Sequence, residues 1–278
     1  MNDSPRRGTP EVAPDDLTRS EPAPGTASGA EEVAAAAHTE VTPPGMSATR
    51  RLLRALAVMS SGTMVSRLLG LVRVALAAFV IGTGTTQADT YAVAITVPTA
   101  LYVLFAGGAL NSVLVPQLTR AAKHDDDGGE AYTNRITTAF LLILLVVTVV
   151  VTLAAPWVTQ IYSSDLWRTP QMADHYQAMV LLTMVCLPEV FFYGAFVILG
   201  QILNARDRFG PMMWAPVVSN IIQVAAFITF YAVWGQTDGQ TPFTIAQIGV
   251  LGGGYLVGAI LQAGVLVFFL RRVGYRFR

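Results

Sequence analysis

Past residue 48 the chain is a succession of long apolar runs separated by short polar stretches. Six such runs lie at about 55–81, 89–118, 136–161, 176–203, 212–234 and 245–270. Each reaches the roughly 20 residues that an α-helix needs to cross about 30 Å of hydrocarbon. In lipid every backbone N–H and C=O must find a partner within its own segment, so runs of this length are predicted helices. The strict alternation of apolar and polar residues that marks a membrane barrel is absent. The predicted fold class is an all-α polytopic membrane protein with six transmembrane helices, consecutive ones antiparallel because their connections are short. Pro98 and Pro188 sit well inside their runs and are predicted to kink them. Simple bending to fit neighbouring helices and a hinge in a moving lobe are both open readings of these kinks.

Residues 1–48 break the pattern. They are rich in Pro, Ala, Glu, Ser, Thr and Gly and hold almost no large apolar side chains. Such a segment buries too little surface to offset its ordering entropy, so a disordered tail is expected. It lacks the apolar stretch near Met1 that a signal peptide requires. The expected organisation is thus a tail over 1–48 and a membrane lobe over 49–278.

Composition supports the bilayer as solvent. The chain is 53% hydrophobic and 13% charged, with mean hydropathy +0.51, whereas a soluble domain carries about 25% charged residues. The zero net charge hides a segregation: residues 1–49 hold eight acids against three arginines, leaving 15 basic residues against 10 acidic ones in the remainder. Those basic residues set the topology. With the tail placed in the cytoplasm, the cytoplasmic flanks hold Arg50, Arg51, Arg54, Arg120, Lys123, Arg135, Arg206, Arg208, Arg271, Arg272, Arg276 and Arg278, and the outer loops hold only Arg168. Twelve against one is a strong positive-inside asymmetry. Both termini are therefore expected in the cytoplasm of a bacterial cell. The one cysteine, Cys186, lies in an apolar run and has no intrachain partner for a disulfide.

Charges inside the runs carry the candidate chemistry. Arg67 and Arg73 both fall within the first run, where an arginine at mid-bilayer costs about 2.5–3.5 kcal/mol on insertion scales. Six residues turn a helix by about 240°, so the two do not share a narrow stripe. Both can line a broad cavity, or one can face it while the other binds a neighbouring helix. A cationic cavity for an anionic ligand is favoured over ion pairs with Asp89 or Glu189, because only these two acids lie near the membrane to neutralise the arginines. Guanidinium also suits phosphate, offering paired hydrogen bonds in a fixed fork. Asp89 opens the second run and reads equally as a helix cap and as a gating or coupling carboxylate. Glu189 follows Pro188 within the fourth run, and a carboxylate inside a membrane is a gating or coupling candidate by default. The spacing Gly254-Tyr255-Leu256-Val257-Gly258 points to close helix packing, and Gly107-Gly108 invites the same reading. Asn111, Ser112, Gln201, Asn220 and Gln223 suit either a cavity wall or bonds between helices.

No catalytic set emerges. His38, His124 and His175 lie in the tail or in loops. No paired His, Cys or carboxylate spacing suggests a metal. Asp125-Asp126-Asp127 lacks the ligand alternation of a calcium loop. No Gly-Lys phosphate-binding motif is present, so ATP hydrolysis is not expected. The chain reads as neither an enzyme nor a cofactor or nucleic-acid binder, and any energy input would come from a gradient or from the membrane potential.

Ser66-Arg67-Leu68-Leu69-Gly70-Leu71-Val72-Arg73 resembles the first-helix signature of the MurJ/MviN family. Ala88-Asp89-Thr90-Tyr91 with Pro98, Gly107-Gly108-Ala109-Leu110 and Val115-Pro116 resemble its second helix. Leu203-Asn204-Ala205-Arg206-Asp207-Arg208-Phe209-Gly210-Pro211, through Pro216 and Asn220, resembles the connection between its fourth and fifth helices. The resemblance implies an exporter-type bundle of two pseudo-symmetric lobes around a central cavity. It implies movement of lipid II, the undecaprenyl-pyrophosphate-linked peptidoglycan precursor, from the inner to the outer leaflet of the cytoplasmic membrane. Arg67, Arg73 and Asp89 match the family's charged positions, and its cavity arginines imply substrate binding by Arg67 and Arg73. Three positions depart from the pattern: Val74 where many members have an acid, Tyr102-Val103 where many have an arginine nearby, and Gly107 where many have a glutamate. The chain corresponds to one six-helix lobe, so a second lobe or a second copy is an expected partner, alongside lipid II and the bilayer.

Two other readings compete. A related drug or polysaccharide-lipid exporter would share the fold, but cationic drugs call for acids in the cavity rather than for two arginines. A non-transporting scaffold for cell-wall synthesis proteins would use the acidic tail to bind its partners.

Overall fold

The computed structural model describes residues 46–104 and 130–275. The chain divides into two units, Met1–Thr49 and Arg50–Arg278. The first is described only at its last residues, so the expected tail over 1–48 lies almost wholly outside the described residues. In the second, the described residues form helices and connecting turns, with no strand among them.

The helices are α1 (Met46–Ile81), α2 (Thr86–Leu104), α3 (Glu130–Leu153), α4 (Ala155–Tyr162), α5 (Ala173–Cys186), α6 (Glu189–Asn204), α7 (Gly210–Trp234) and α8 (Ile245–Arg272). Two short 3-10 turns, Asp165–Arg168 and Pro170–Met172, join α4 to α5. Five stretches are long and apolar enough to cross a membrane: Leu56–Ile81, Ala131–Leu153, Pro170–Asn204, Gly210–Trp234 and Ile245–Arg272. They correspond to five of the six expected spans. The other, 89–118, is described only as far as Leu104, the last residue of α2.

Local sequence explains the breaks. Pro188 has no N–H to continue the ladder, and the fourth span divides there into α5 and α6. Backbone bonds from Leu187 to Thr183 (2.8 Å) and from Val190 to Leu187 (3.0 Å) carry the chain through the corner. At Pro98 the outcome differs, and α2 runs on to Leu104. Thr244-Ile245-Ala246-Gln247 starts α8 with a capping box: the Gln247 N–H donates to the Thr244 hydroxyl (3.3 Å), and the Thr244 N–H donates to the Gln247 side-chain oxygen (2.9 Å).

Helix α8 is the hub, lying along α7, α6 and α5, while α2 rests on α5 and α6 and α3 rests on α6. The two glycines of the Gly254–Gly258 repeat let α8 approach α7. A Cβ on Gly254 would stand 2.4 Å from the Ala226 side chain, and one on Gly258 would stand 2.9 Å from the Ser219 hydroxyl. Tyr91, Cys186, Phe227, Leu251 and Tyr255 share one apolar cluster, and Ile198, Leu203, Leu266, Leu270 and Tyr275 share another.

Helix α1 is held differently. Its span is the least buried of the five, yet it comes close to α7 at Gly62, where a Cβ would stand 2.8 Å from the Trp214 indole and 3.0 Å from the Met213 carbonyl, and Val80 and Ile81 at its end are buried in the first apolar cluster. Polar groups attach it as well. The Trp214 indole donates to the Val58 carbonyl (3.0 Å), and Asn220 donates to the Ser66 carbonyl (3.2 Å) and hydroxyl (3.1 Å). Beyond the end of α7, Gln236 donates to the Phe79 carbonyl (3.1 Å) and the Thr237 N–H donates to the Val80 carbonyl (2.9 Å). The two sides of the bundle are thereby distinguished. One side gathers the 235–241 connection with the close of α1 and the start of α2. The other gathers Val58, Arg208, Phe269 and Arg272 around one pocket, with the Arg206 guanidinium 4.5 Å from the centre of the Tyr275 ring.

Candidate functional site

Arg73 is the centre of a polar cluster set among apolar helices. It lies half-buried on α1, and its Nη1 donates to Oε1 of Gln223 on α7 at 2.6 Å. The guanidinium carbon stands 5.7 Å from the centre of the Tyr255 ring on α8, within the range of a cation–π contact. The Tyr255 and Tyr91 hydroxyls are 2.5 Å apart, which brings α2 into the same cluster. Gln223 is itself fixed, because its amide nitrogen donates to the Ser219 hydroxyl one turn away at 3.0 Å. Four helices therefore converge on one arginine.

Glu189 is buried at the start of α6, just past the Pro188 corner. Tyr193 follows one turn on along the same helix face. Arg73 is near enough to act on Glu189 electrostatically, yet the two make no ion pair within 4 Å. Tyr102, next to the position where the family resemblance leads one to expect arginine, rests against Tyr193 with ring centres 5.3 Å apart. Aromatic rings line this side of the cluster.

The other two candidates lie elsewhere. Arg67 is exposed and borders a shallow groove along α1 with Ser60, Thr63, Met64 and Leu71. Asp89 is exposed in the first turn of α2. Neither forms an ion pair with the other or with Arg73 or Glu189. So the structure brings Arg73 and Glu189 into one interior, and it leaves Arg67 and Asp89 on open surfaces. The 240° between the arginines is resolved as one side chain bonded to a neighbouring helix and one facing outward. Gly107, Gly108, Asn111, Ser112 and the Asp125–Asp127 run fall outside the described residues.

The sequence did not single out Tyr255, Tyr193 or Gln223 as members of this cluster. A phenol in an apolar helix is ordinary, and Gln223 was one polar residue among several. The signal that was available is the Ser219–Gln223 spacing, which places two polar groups on the same face of α7 as its glycine-facing contact with α8.

The chemistry of the cluster suits anion recognition more than catalysis. It offers a guanidinium with donors beyond the one used by Gln223 and a buried carboxylate, while the Arg67 guanidinium lies outside it on an uncovered face. No group of three or more His, Cys, Asp or Glu able to hold a metal occurs among the described residues.

Comparison with known proteins places this architecture. Residues 76–278 match the family model described as lipid II flippase MurJ. A probable lipid II flippase MurJ from Haemophilus influenzae is 28% identical over 74% of this chain and 41% of its own length. One from Vibrio cholerae is 27% identical over 79% of this chain and 42% of its own. The lipid II flippase MurJ of Burkholderia cenocepacia is 28% identical over 80% of this chain and 40% of its own. The chain thus spans about two-fifths of the length of the curated relatives it matches. With 203 consecutive residues covered by the family model, an all-helical fold and membrane-crossing apolar segments, the chain belongs to the MurJ family of lipid II flippases.

Proposed function

We propose that this chain carries out lipid II flipping as one lobe of a larger transporter, moving the undecaprenyl-pyrophosphate-linked precursor from the inner to the outer leaflet of the bacterial cytoplasmic membrane. In this reading residues 49–278 are the membrane lobe and both termini face the cytoplasm. Arg67 and Arg73 receive the pyrophosphate, and Asp89 and Glu189 serve gating or coupling. No covalent chemistry on the substrate is involved.

The observation that supports this reading best is the state of the two arginines. Neither is neutralised by an acid, so both keep their charge for a ligand. The apolar face of α1 that carries Arg67 also carries exposed Met64, Leu68 and Leu71. A guanidinium on such a face is costly against bare lipid, and a second lobe or a second copy across a water-filled cavity removes that cost. Lipid II supplies the matching anion.

The test is outward movement of lipid II in cells depleted of their own flippase. A complete transporter carrying this lobe should make lipid II accessible to a cleaving enzyme added outside. Lipid II that stays protected, with the transporter abundant in the membrane, would rule the reading out.

A further inference from the structure

We propose that Gln223 is a positioning residue that fixes the Arg73 guanidinium while leaving its charge available to a pyrophosphate-bearing lipid. The inference rests on the reading of Arg73 as a substrate-binding group and adds how that group is prepared.

An arginine inside a helical bundle must be held by something. A carboxylate would hold it most strongly, but would cancel the charge that an anionic ligand needs. Gln223 is a neutral acceptor. Its Oε1 takes one Nη1 hydrogen at 2.6 Å, and the guanidinium has five N–H donors in a fixed plane. The remaining edge is free to make the paired bonds that suit phosphate.

Three features make Gln223 a fixture rather than a passing contact. It is fully buried. Ser219 accepts from its amide nitrogen at 3.0 Å, which sets the amide so that its oxygen faces Arg73. Gly258 on α8 supplies the room: a Cβ there would stand 2.9 Å from the Ser219 hydroxyl and 3.4 Å from the Gln223 amide nitrogen. The Tyr255 ring closes the other side of the guanidinium and is anchored in turn by Tyr91. The titratable side chains acting around Arg73 are Tyr91 on α2, Glu189 and Tyr193 on α6, and Tyr255 on α8. Only Glu189 among them is a carboxylic acid, and it makes no ion pair with Arg73 within 4 Å.

The test uses the 278-residue chain in lipid nanodiscs, titrated with undecaprenyl pyrophosphate, with undecaprenol as the control lipid. Three variants are compared with the parent for Kd and for Tm: Arg73→Ala, Gln223→Glu and Gln223→Leu. Gln223→Glu keeps an acceptor of the same shape and adds a charge. It should fold with an unchanged or raised Tm, weaken pyrophosphate binding about tenfold or more at pH 8, and recover as the pH falls and the new carboxyl protonates. Gln223→Leu should weaken binding severalfold with no such pH recovery. Arg73→Ala should lose the preference for pyrophosphate over undecaprenol. Parent-like binding by both Gln223 variants, with Arg73→Ala impaired, would overturn the positioning role and leave the substrate reading intact. Parent-like binding by Arg73→Ala would overturn both. Gln223→Glu carries the test alone should Gln223→Leu fail to fold.

Discussion

Asn220 on α7 donates to both the carbonyl (3.2 Å) and the hydroxyl (3.1 Å) of Ser66 on α1, 154 residues away in sequence. This bond lies between two other tethers of the same helices, Trp214 to Val58 and Arg73 to Gln223. Asn220→Leu should therefore free the middle of α1 while leaving the apolar clusters intact. The expected cost is about 0.6–1.7 kcal/mol, the range for bonds between membrane helices. A cysteine at Ser66 should become more readily alkylated in that variant. Unchanged alkylation and an unchanged Tm would show that Asn220 does not hold α1.

The Tyr91–Tyr255 pair predicts non-additivity. Each hydroxyl is buried and is the other's partner at 2.5 Å. Removing one strands the other, at about 1–3 kcal/mol. Removing both strands neither. Tyr91→Phe and Tyr255→Phe should each lower the Tm of the purified chain, and the double variant should cost clearly less than the two singles together. Strict additivity would mean that the hydroxyls do not interact.

The two arginines should separate in their effects. Arg67 is exposed, so Arg67→Ala in a complete transporter should abolish flipping with normal abundance. Arg73→Ala should also abolish flipping, and in addition should destabilise by about 1–3 kcal/mol, because it leaves the buried Gln223 oxygen without its donor. Lysine at either position should restore only part of the activity, since it keeps the charge and loses the planar fork. Flipping assays paired with membrane abundance distinguish these outcomes. Wild-type flipping by either alanine variant would remove that arginine from the substrate path.

The connection between α7 and α8 has its own pH dependence. The Thr241 and Gln240 N–H groups (3.0 Å each) and the Thr241 hydroxyl (2.9 Å) donate to Asp238, and they hold its carboxyl below the usual carboxylate range. A lowered folded-state value stabilises the ionised form. That stabilisation is present above the ordinary aspartate value, about 3.9, and is lost as the pH falls through the lower folded one. Amide exchange at Gln240 and Thr241, corrected for intrinsic rates, should stay protected down to mildly acidic pH and rise only under strongly acidic conditions. Asp238→Ala should remove this protection at every pH. Protection that fades already near neutral pH would contradict the assignment.

Orientation in the membrane follows from the basic residues. A cysteine at exposed Gln240 should react with an impermeant reagent added outside intact cells, and a cysteine at exposed Arg208 should not. The reverse labelling would invert the proposed topology.

The parts legible in the sequence were those written locally. The Pro188 corner and the tight approach at Gly254 and Gly258 each depend on a few neighbouring residues, and each occurs in the structure. The choice of Arg73 and Glu189 as notable charges was also local, since either is costly in an apolar run. What the sequence could not supply was register between helices. Nothing near Arg73 says that Gln223 rather than Asn220 meets it, because that depends on how α1 and α7 are rotated and slid against one another. Arg67 shows the same gap: the helical angle separates it from Arg73, but only the bundle decides which of the two faces inward.

The 150 residues between Arg73 and Gln223 also impose an order of assembly. Chains are made at about 5–20 residues per second, so α1 waits roughly 8–30 s for the partner that holds its arginine. During that interval the guanidinium sits in a helix with no Gln223, no Tyr255 ring and no Asn220 tether. Lipid phosphate or the insertion machinery must host it until α7 and α8 arrive. A helix made well before α7 and α8 is therefore secured only after them, and a chain stalled before residue 223 would hold α1 without its latch.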